Sequence, residues 1–257
     1  MASSRAIAAV ISASIGFLLA GMAALSITHY PAEALRLCGL ALQPAIVARD
    51  VYQQITGDVD IRVRLASLED FRKYSKAGVM IRETLNADSR NAFMLLRADN
   101  TLFLQSRPRP GATTIREDFF SGNAPVWLRL VRRGSEFTGY FSSNGTSWTT
   151  AGTATVNMAA AAYVGLAVSS RMDSALLTAN FTNLQVSDGQ VSDGDMLTTT
   201  TLPAPWTGRD IGSPALAGSA SAAGGTFTVA AGGIDIWGTS DQFHFVYQPL
   251  QGDVEVV

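Results

Sequence analysis

Few residues in this chain combine type and spacing in a way that suggests chemistry. Asp58-x-Asp60-x-Arg62 alternates along an extended stretch, so the three side chains share one face. Two carboxylates on one face would suit acid–base or nucleophilic attack on a glycosidic bond if they stood roughly 5–9 Å apart. Arg62 sits where a further acid would extend the row, and the similar Asp253-x-Glu255-x-Val257 ends in an apolar residue. A solvated polar strand face explains both better. His29 and His244 are the only histidines and Cys38 is the only cysteine, which excludes His/Cys metal clusters and a Cys–His nucleophile pair. There is no Gly-Lys-Ser/Thr phosphate loop, and the acids of residues 187–195 miss the spacing of a calcium loop. The sequence therefore predicts no catalytic residue, no metal and no cofactor.

Binding needs less: aromatic platforms beside hydrogen-bonding side chains. Trp127, Tyr140, Trp148, Trp237 and Tyr247 are the aromatic candidates, with Arg82, Asp241 and His244 as polar neighbours. Arg82, Trp237, Asp241, His244 and Tyr247 form the expected ligand-binding set. Packing roles compete at each position. Trp127 and Tyr163 lie in strand patterns and are expected in the core, and Trp148 should fasten a turn onto its sheet. Trp237 suits a structural role at least as well as a groove. His244 alternates with Phe243 and Phe245, so it is expected to point away from them, towards a concave surface.

The elements that would hold these residues are strands. Val59, Ile61, Val63 and Leu65 alternate with Asp58, Asp60, Arg62 and Arg64, the period of a strand with one wet face. Further strand patterns run through residues 77–83, 91–97, 101–105, 126–132, 136–141, 162–168 and 177–186. Asp99-Asn100 and Gly134-Ser135 mark tight turns. Asn144-Gly145 is the strongest turn signal and predicts a type I′ hairpin, which needs positive φ at both residues. No convincing amphipathic helix interrupts the series, so the class is an all-β sandwich of two antiparallel sheets.

Four spaced segments carry a family likeness: Lys76-Ala77-Gly78-Val79-Met80-Ile81-Arg82-Glu83, Trp127-Leu128-Arg129-Leu130, residues 137–148, and Tyr163-Val164-Gly165-Leu166-Ala167-Val168-Ser169-Ser170. Together they resemble bacterial concanavalin A-like domains of the lectin/glucanase superfamily, in the group named for a regulator of enolase. The resemblance covers most of residues 51–187. It implies a jelly roll of two curved sheets, like laminin-G modules, but no single activity. Glucanases of the superfamily carry Glu-x-Asp-x-Glu on one strand, and Arg62 departs from that pattern.

The chain also repeats itself. Val51-Tyr52-Gln53-Gln54-Ile55-Thr56-Gly57-Asp58-Val59 returns as Val246-Tyr247-Gln248-Pro249-Leu250-Gln251-Gly252-Asp253-Val254, at an offset of 195 residues (246 − 51). Residues 188–205 read as a linker, with a Val-Ser-Asp-Gly echo, a threonine run and Pro203-Ala204-Pro205. After it, residues 206–257 resemble the opening strands of a second copy, and residues 51–187 lack theirs. Residues 29–50 do not match the family. The pattern is that of a tandem-repeat fragment, in which 206–257 either docks on 51–187 and completes one circularly permuted sandwich or is a tail whose partner strands lie beyond the fragment or in another copy. In a completed sandwich, two copies of one strand, 51–62 and 246–257, compete for a single slot.

Composition bounds the rest. Charged residues make up only 16%, and 17 of the 19 basic residues are arginine. Residues 51–187 hold 15 basic against 11 acidic residues and residues 188–257 hold 1 against 8, so no dense basic stripe points to nucleic acid. Residues 6–27 are uncharged and apolar behind Arg5, as in a signal peptide or a helical membrane anchor. The expected protein is a non-catalytic module, secreted or on the surface of a bacterial envelope, that binds carbohydrate or packs beside neighbouring modules of a larger chain. Membrane contact is expected only through residues 6–27 if they stay uncleaved. A structural spacer in a tandem array is the alternative, and a glycoside hydrolase the distant one.

Overall fold

The computed structural model describes residues 57–69, 72–187 and 201–250. The signal or anchor segment 6–27, Cys38, His29, residues 29–50, most of the linker and the outer parts of both repeated segments lie outside these residues.

Period-two alternation decides the local structure. In β1 (Val59–Leu68) Val59, Ile61, Val63 and Leu65 are fully buried, while the intervening Arg62 is exposed. Next come β2 (Lys76–Arg82), β3 (Asn91–Arg97), β4 (Thr101–Arg107), β5 (Ile115–Arg116) and β6 (Phe120–Ser121). After them run β7 (Val126–Arg133), β8 (Glu136–Ser142), β9 (Thr149–Thr155), β10 (Ala162–Ser169) and β11 (Met172–Val186). Residues 201–250 add β12 (Thr207–Ile211), β13 (Ser219–Ala223), β14 (Thr226–Gly233), β15 (Ile236–Trp237), β16 (Ser240–Asp241) and β17 (Phe243–Leu250). No helix occurs among the described residues.

Every pairing is antiparallel. One sheet has seven strands in the order β13-β14-β11-β1-β7-β8-β9. The other runs β12-β17-β10-β2-β3-β4-β5, with β6 also paired to β4. Both sheets turn one face onto a shared hydrophobic cluster that takes Ile61, Leu128 and Phe227 from the first and Val79, Met94 and Val246 from the second. β2, β3 and β4 are buried on both faces, because the second face of the eight-stranded sheet carries a further cluster around Met80, Phe93, Phe103 and Phe245. A strand buried on both sides reads as a continuous apolar run, as in Phe93-Met94-Leu95-Leu96.

Residues 201–250 belong to both sheets. β17 pairs with β10 from Ala162↔Leu250 to Val168↔His244, and β14 pairs with β11 from Leu177↔Ala231 to Thr182↔Thr226. Trp206, 4% exposed, meets Phe227 edge-on at 5.7 Å inside the shared core. At the 195-residue offset the described residues of the two repeats, 57–62 and 246–250, are not equivalent to one another, so the expected competition for one slot lies outside the described residues. Those of the second copy lie in β17, between β10 and β12; those of the first lie in and just before β1, between β11 and β7 of the opposite sheet.

Two local expectations need correction. Asn144-Gly145 does not form a type I′ hairpin: Gly145 has φ +75°, but Asn144 keeps a negative φ, and β8 and β9 are joined by a six-residue loop. The Asn144 side chain takes over the turn, accepting hydrogen bonds from the amides of Thr146 and Ser147 at 3.0 and 2.9 Å. Trp127 and Tyr163 are only half-buried and stand on faces turned away from the shared core. Trp127 is instead covered by the turn, where a Cβ on Gly145 would come within 2.7 Å of its ring.

Candidate functional site

The second face of the eight-stranded sheet is where the expected binding residues mostly meet. Across it lies the β15–β16 hairpin, paired Ile236↔Asp241 and Trp237↔Ser240. Side chains rising from the sheet hold this hairpin by its backbone. Lys76 Nζ and Gln105 Nε2 donate to the carbonyl of Ile236 at 2.8 and 2.7 Å, and Thr114 Oγ1 donates to that of Gly238 at 3.0 Å.

Beneath the hairpin, Arg82 and Asp241 come together, but as a sealed ion cluster rather than a ligand surface. Arg82, Arg107 and Asp241 are each fully buried. Arg107 donates from Nη1 and Nη2 to the two Asp241 carboxylate oxygens at 2.8 and 2.5 Å, and Arg82 Nη1 stands 3.6 Å away. Both arginines saturate their remaining donors largely on loop carbonyls: Thr84 and Asn86 for Arg82, and Ala87, Ser89 and Ala112 among those for Arg107. Burial lowers the Arg82 pKa to about 10, so it stays charged near neutrality. Burial also pushes the Asp241 carboxyl upward, against the pull of hydrogen bonds from Arg107 and the charge of Arg82.

Tyr247 is half-buried on this face, stacked on Phe245 at 5.2 Å and meeting Tyr163 edge-on at 5.3 Å. His244 is not on it. Alternation does turn His244 away from Phe243 and Phe245, but those two occupy the second face, so the histidine points inward and is 4% exposed. Its Nδ1 lies 2.7 Å from Asp210 Oδ1, in a space left open by Gly218, whose Cβ would come within 2.5 Å of that nitrogen. It takes no part in any surface site.

One part of this face that opens to solvent lies beside Trp237. A cleft of about 200 Å³, open to solvent, is lined by Tyr74, Lys76, Arg97, Phe103, Arg116, Arg171, Asp235 and Trp237. An adjoining cleft of about 350 Å³ shares Arg171, Asp235 and Trp237 and adds Ile234, Gly238, Ser240 and Gln242. Trp237 thus borders both. Lys76 Nζ sits 5.0 Å from the Trp237 ring and 2.9 Å from Asp235 Oδ1, while Arg171 Nε reaches Asp235 Oδ2 at 3.3 Å. Burial draws the Lys76 pKa down, and the Asp235 carboxylate works the other way. Large apolar side chains stay exposed at the rim: Tyr74 at 45%, Phe119 at 44% and Ile234 at 51%.

The acid row chosen first for chemistry lies elsewhere, in the seven-stranded sheet. The Asp60 carboxylate is gripped by Arg129, and Asp58 accepts the Gly134 amide at 2.6 Å. Tyr140 and Trp148 flank the same arginine at 5.4 and 5.6 Å, so the aromatic candidates divide between two sheets. Lys76, Arg97, Arg116, Arg171 and Asp235 were not among the residues expected from sequence. Lys76, Arg97 and Arg116 sit at polar positions within or beside apolar runs, a signal that only the cross-strand register turns into a cluster.

No protein-family model matches this chain, and no curated protein matches it. Among solved structures, a functionally unknown protein from Saccharomyces cerevisiae is similar over 44% of this chain at 21% identity, with a TM-score of 0.35; the chain spans 60% of that protein's length. Scytalido-glutamic peptidase is similar over 68% of this chain and 92% of its own, at 10% identity and a TM-score of 0.37. SCP-B, a member of the Eqolisin family of peptidases, gives 9% and 0.34 over the same shares. Similarity at this level carries no argument about activity.

Proposed function

We propose that this chain is a non-catalytic concanavalin A-like module of jelly-roll type, from an exported or surface protein, and that it binds carbohydrate in the groove beside Trp237. The carrying observation is the half-exposed Trp237 ring placed between two adjoining clefts that also hold hydrogen-bonding side chains. Sugars present apolar C–H faces and a rim of hydroxyls. They are held by an aromatic wall with convergent donors and acceptors around it. Arg171, Ser240 and Gln242 stand beside the ring for the hydroxyls. The permuted arrangement, with residues 206–250 supplying the module's opening strands, is supported by the pairing of β17 with β10 and of β14 with β11.

The non-catalytic reading rests on the carboxylates. Hydrolysis of a glycosidic bond calls for two, and the residues lining the two clefts include one, Asp235, which Lys76 and Arg171 already engage. A glycan-array screen of the full chain tests the proposal, with Trp237→Ala as the site variant and Trp148→Ala, on the other sheet, as the control. We expect saccharide binding that Trp237→Ala abolishes and Trp148→Ala leaves intact. No bound saccharide, or binding indifferent to Trp237→Ala, would overturn the reading.

A further inference from the structure

The charges around the groove are more specific than its aromatic wall. Lys76, Arg97, Arg116 and Arg171 line the first cleft. Asp235 serves two of these cations, and Asp99 holds Arg97 through two hydrogen bonds of 2.7 Å. Four cations against two carboxylates leave a formal excess of two positive charges (4 − 2) at one mouth.

Arg116 is the unmatched member. It is exposed and has no carboxylate or hydrogen-bond acceptor for its side chain among the described residues. Its guanidinium instead lies 3.8 Å from the centroid of the Phe119 ring. Stacking on an aromatic face restrains the plane of the guanidinium but leaves its edge donors free, which preorganises a fork that fits a carboxylate. Arg97 approaches the same ring at 5.2 Å, so two like charges flank one phenyl group. Arg97 already has Asp99 for its charge, so an anion entering the cleft would pair first with Arg116. On the far side of Trp237 the lining changes character, to Ser240 and Gln242, which suit neutral hydroxyls.

We infer that the groove selects a carboxylate-bearing saccharide, with its acidic sugar beside Lys76, Arg97 and Arg116 and a neutral neighbour across Trp237 beside Ser240 and Gln242. This rests on the saccharide reading above and adds the class of sugar. The two clefts share Arg171, Asp235 and Trp237, so one ligand of two sugar units could contact both.

Titration calorimetry on the full chain tests it, with a galacturonate tetramer and the same tetramer after reduction of its carboxyl groups. We expect the acidic form to bind at least about tenfold tighter at low salt, the scale of one charge-assisted pair. That preference should collapse in Arg116→Gln, and also at about 0.5 M salt, where screening acts within a few ångströms. Arg116 is exposed on a two-residue strand, so its replacement spares the core. Equal affinity for the two tetramers, or a preference that survives Arg116→Gln, overturns the inference and leaves the saccharide reading standing. Binding of neither tetramer also overturns the inference, while the saccharide reading stands or falls on the glycan array.

Discussion

Arg107 holds Asp241 by both terminal guanidinium nitrogens, at 2.8 and 2.5 Å, across 134 residues of sequence and with neither side chain exposed. That pair joins β4 to the β15–β16 hairpin. Trp237 stands on the same two-strand ladder, so the groove is only as well placed as this buried pair makes it.

Asp241→Asn should therefore destabilise the fold well beyond a surface change. Removing the carboxylate leaves two buried guanidinium groups without an anion, an effect on the order of 3–5 kcal/mol. Urea unfolding followed by tryptophan fluorescence measures it. Arg62→Gln, at an exposed position, should stay within about 0.5 kcal/mol. Equal effects from the two changes would contradict the buried-cluster reading.

Gly165→Ala should weaken the seam between β10 and β17. A Cβ there would meet the Val246 carbonyl oxygen at 1.9 Å and Tyr247 Cα at 2.7 Å, both backbone atoms, so the neighbouring strand must move. Overpacking of this kind costs about 1–3 kcal/mol. The expected outcome is a lower melting temperature with faster amide exchange in β17 than in β7; an unchanged β17 would count against it.

Glu83 gives a pH signature. Burial alone would raise its pKa, but hydrogen bonds from the Ala159 amide and from Arg90, with the charges of Arg90 and Arg132, hold it below the ordinary value. A folded pKa below the unfolded one means that the unfolded state binds the proton first. The contribution is complete above the ordinary carboxylate range near pH 4 and is lost as pH falls through the folded value. Melting temperatures of wild type and Glu83→Gln should differ at neutral pH and converge in acid. A constant gap across that range would show that the carboxylate charge is not the cause.

Hydrogen exchange should find residues 207–250 protected together with the body. β17 lies between β10 and β12, and β14 between β11 and β13, so their amides share the stability of both sheets. Rapid exchange throughout those residues would contradict the pairing.

The strands were largely legible because alternation is a local signal. Val59-Asp60-Ile61-Arg62 states its own two faces. Asn144-Gly145 misled because turn type also depends on what packs on it, and Trp127 claims the space above Gly145. His244 misled for a related reason. Alternation separated it from Phe243 and Phe245, but which face looks inward depends on the opposite sheet. The choice of Arg82 and Asp241 brought together two residues that do meet, yet burial closes them off. Arg116 could not be singled out at all. Its interest comes from Phe119 beneath it and from Lys76 and Arg97, which reach the same cleft from β2 and β3. Groupings of that kind arise from register, and register is not written in any single stretch.

The strand order also sets a timetable. β10 and β11 follow one another in the chain, yet each waits for a partner made later, β17 for the one and β14 for the other. Until residues 226–250 leave the ribosome, both sheets end in an unpaired strand whose inner side chains face water. The nascent body is most prone to adhere to other chains during that interval, because these last pairings cannot form before it ends. Slowing translation between residues 187 and 226 should therefore raise the aggregated fraction, read as the insoluble share of expressed protein, even though the finished protein is unchanged.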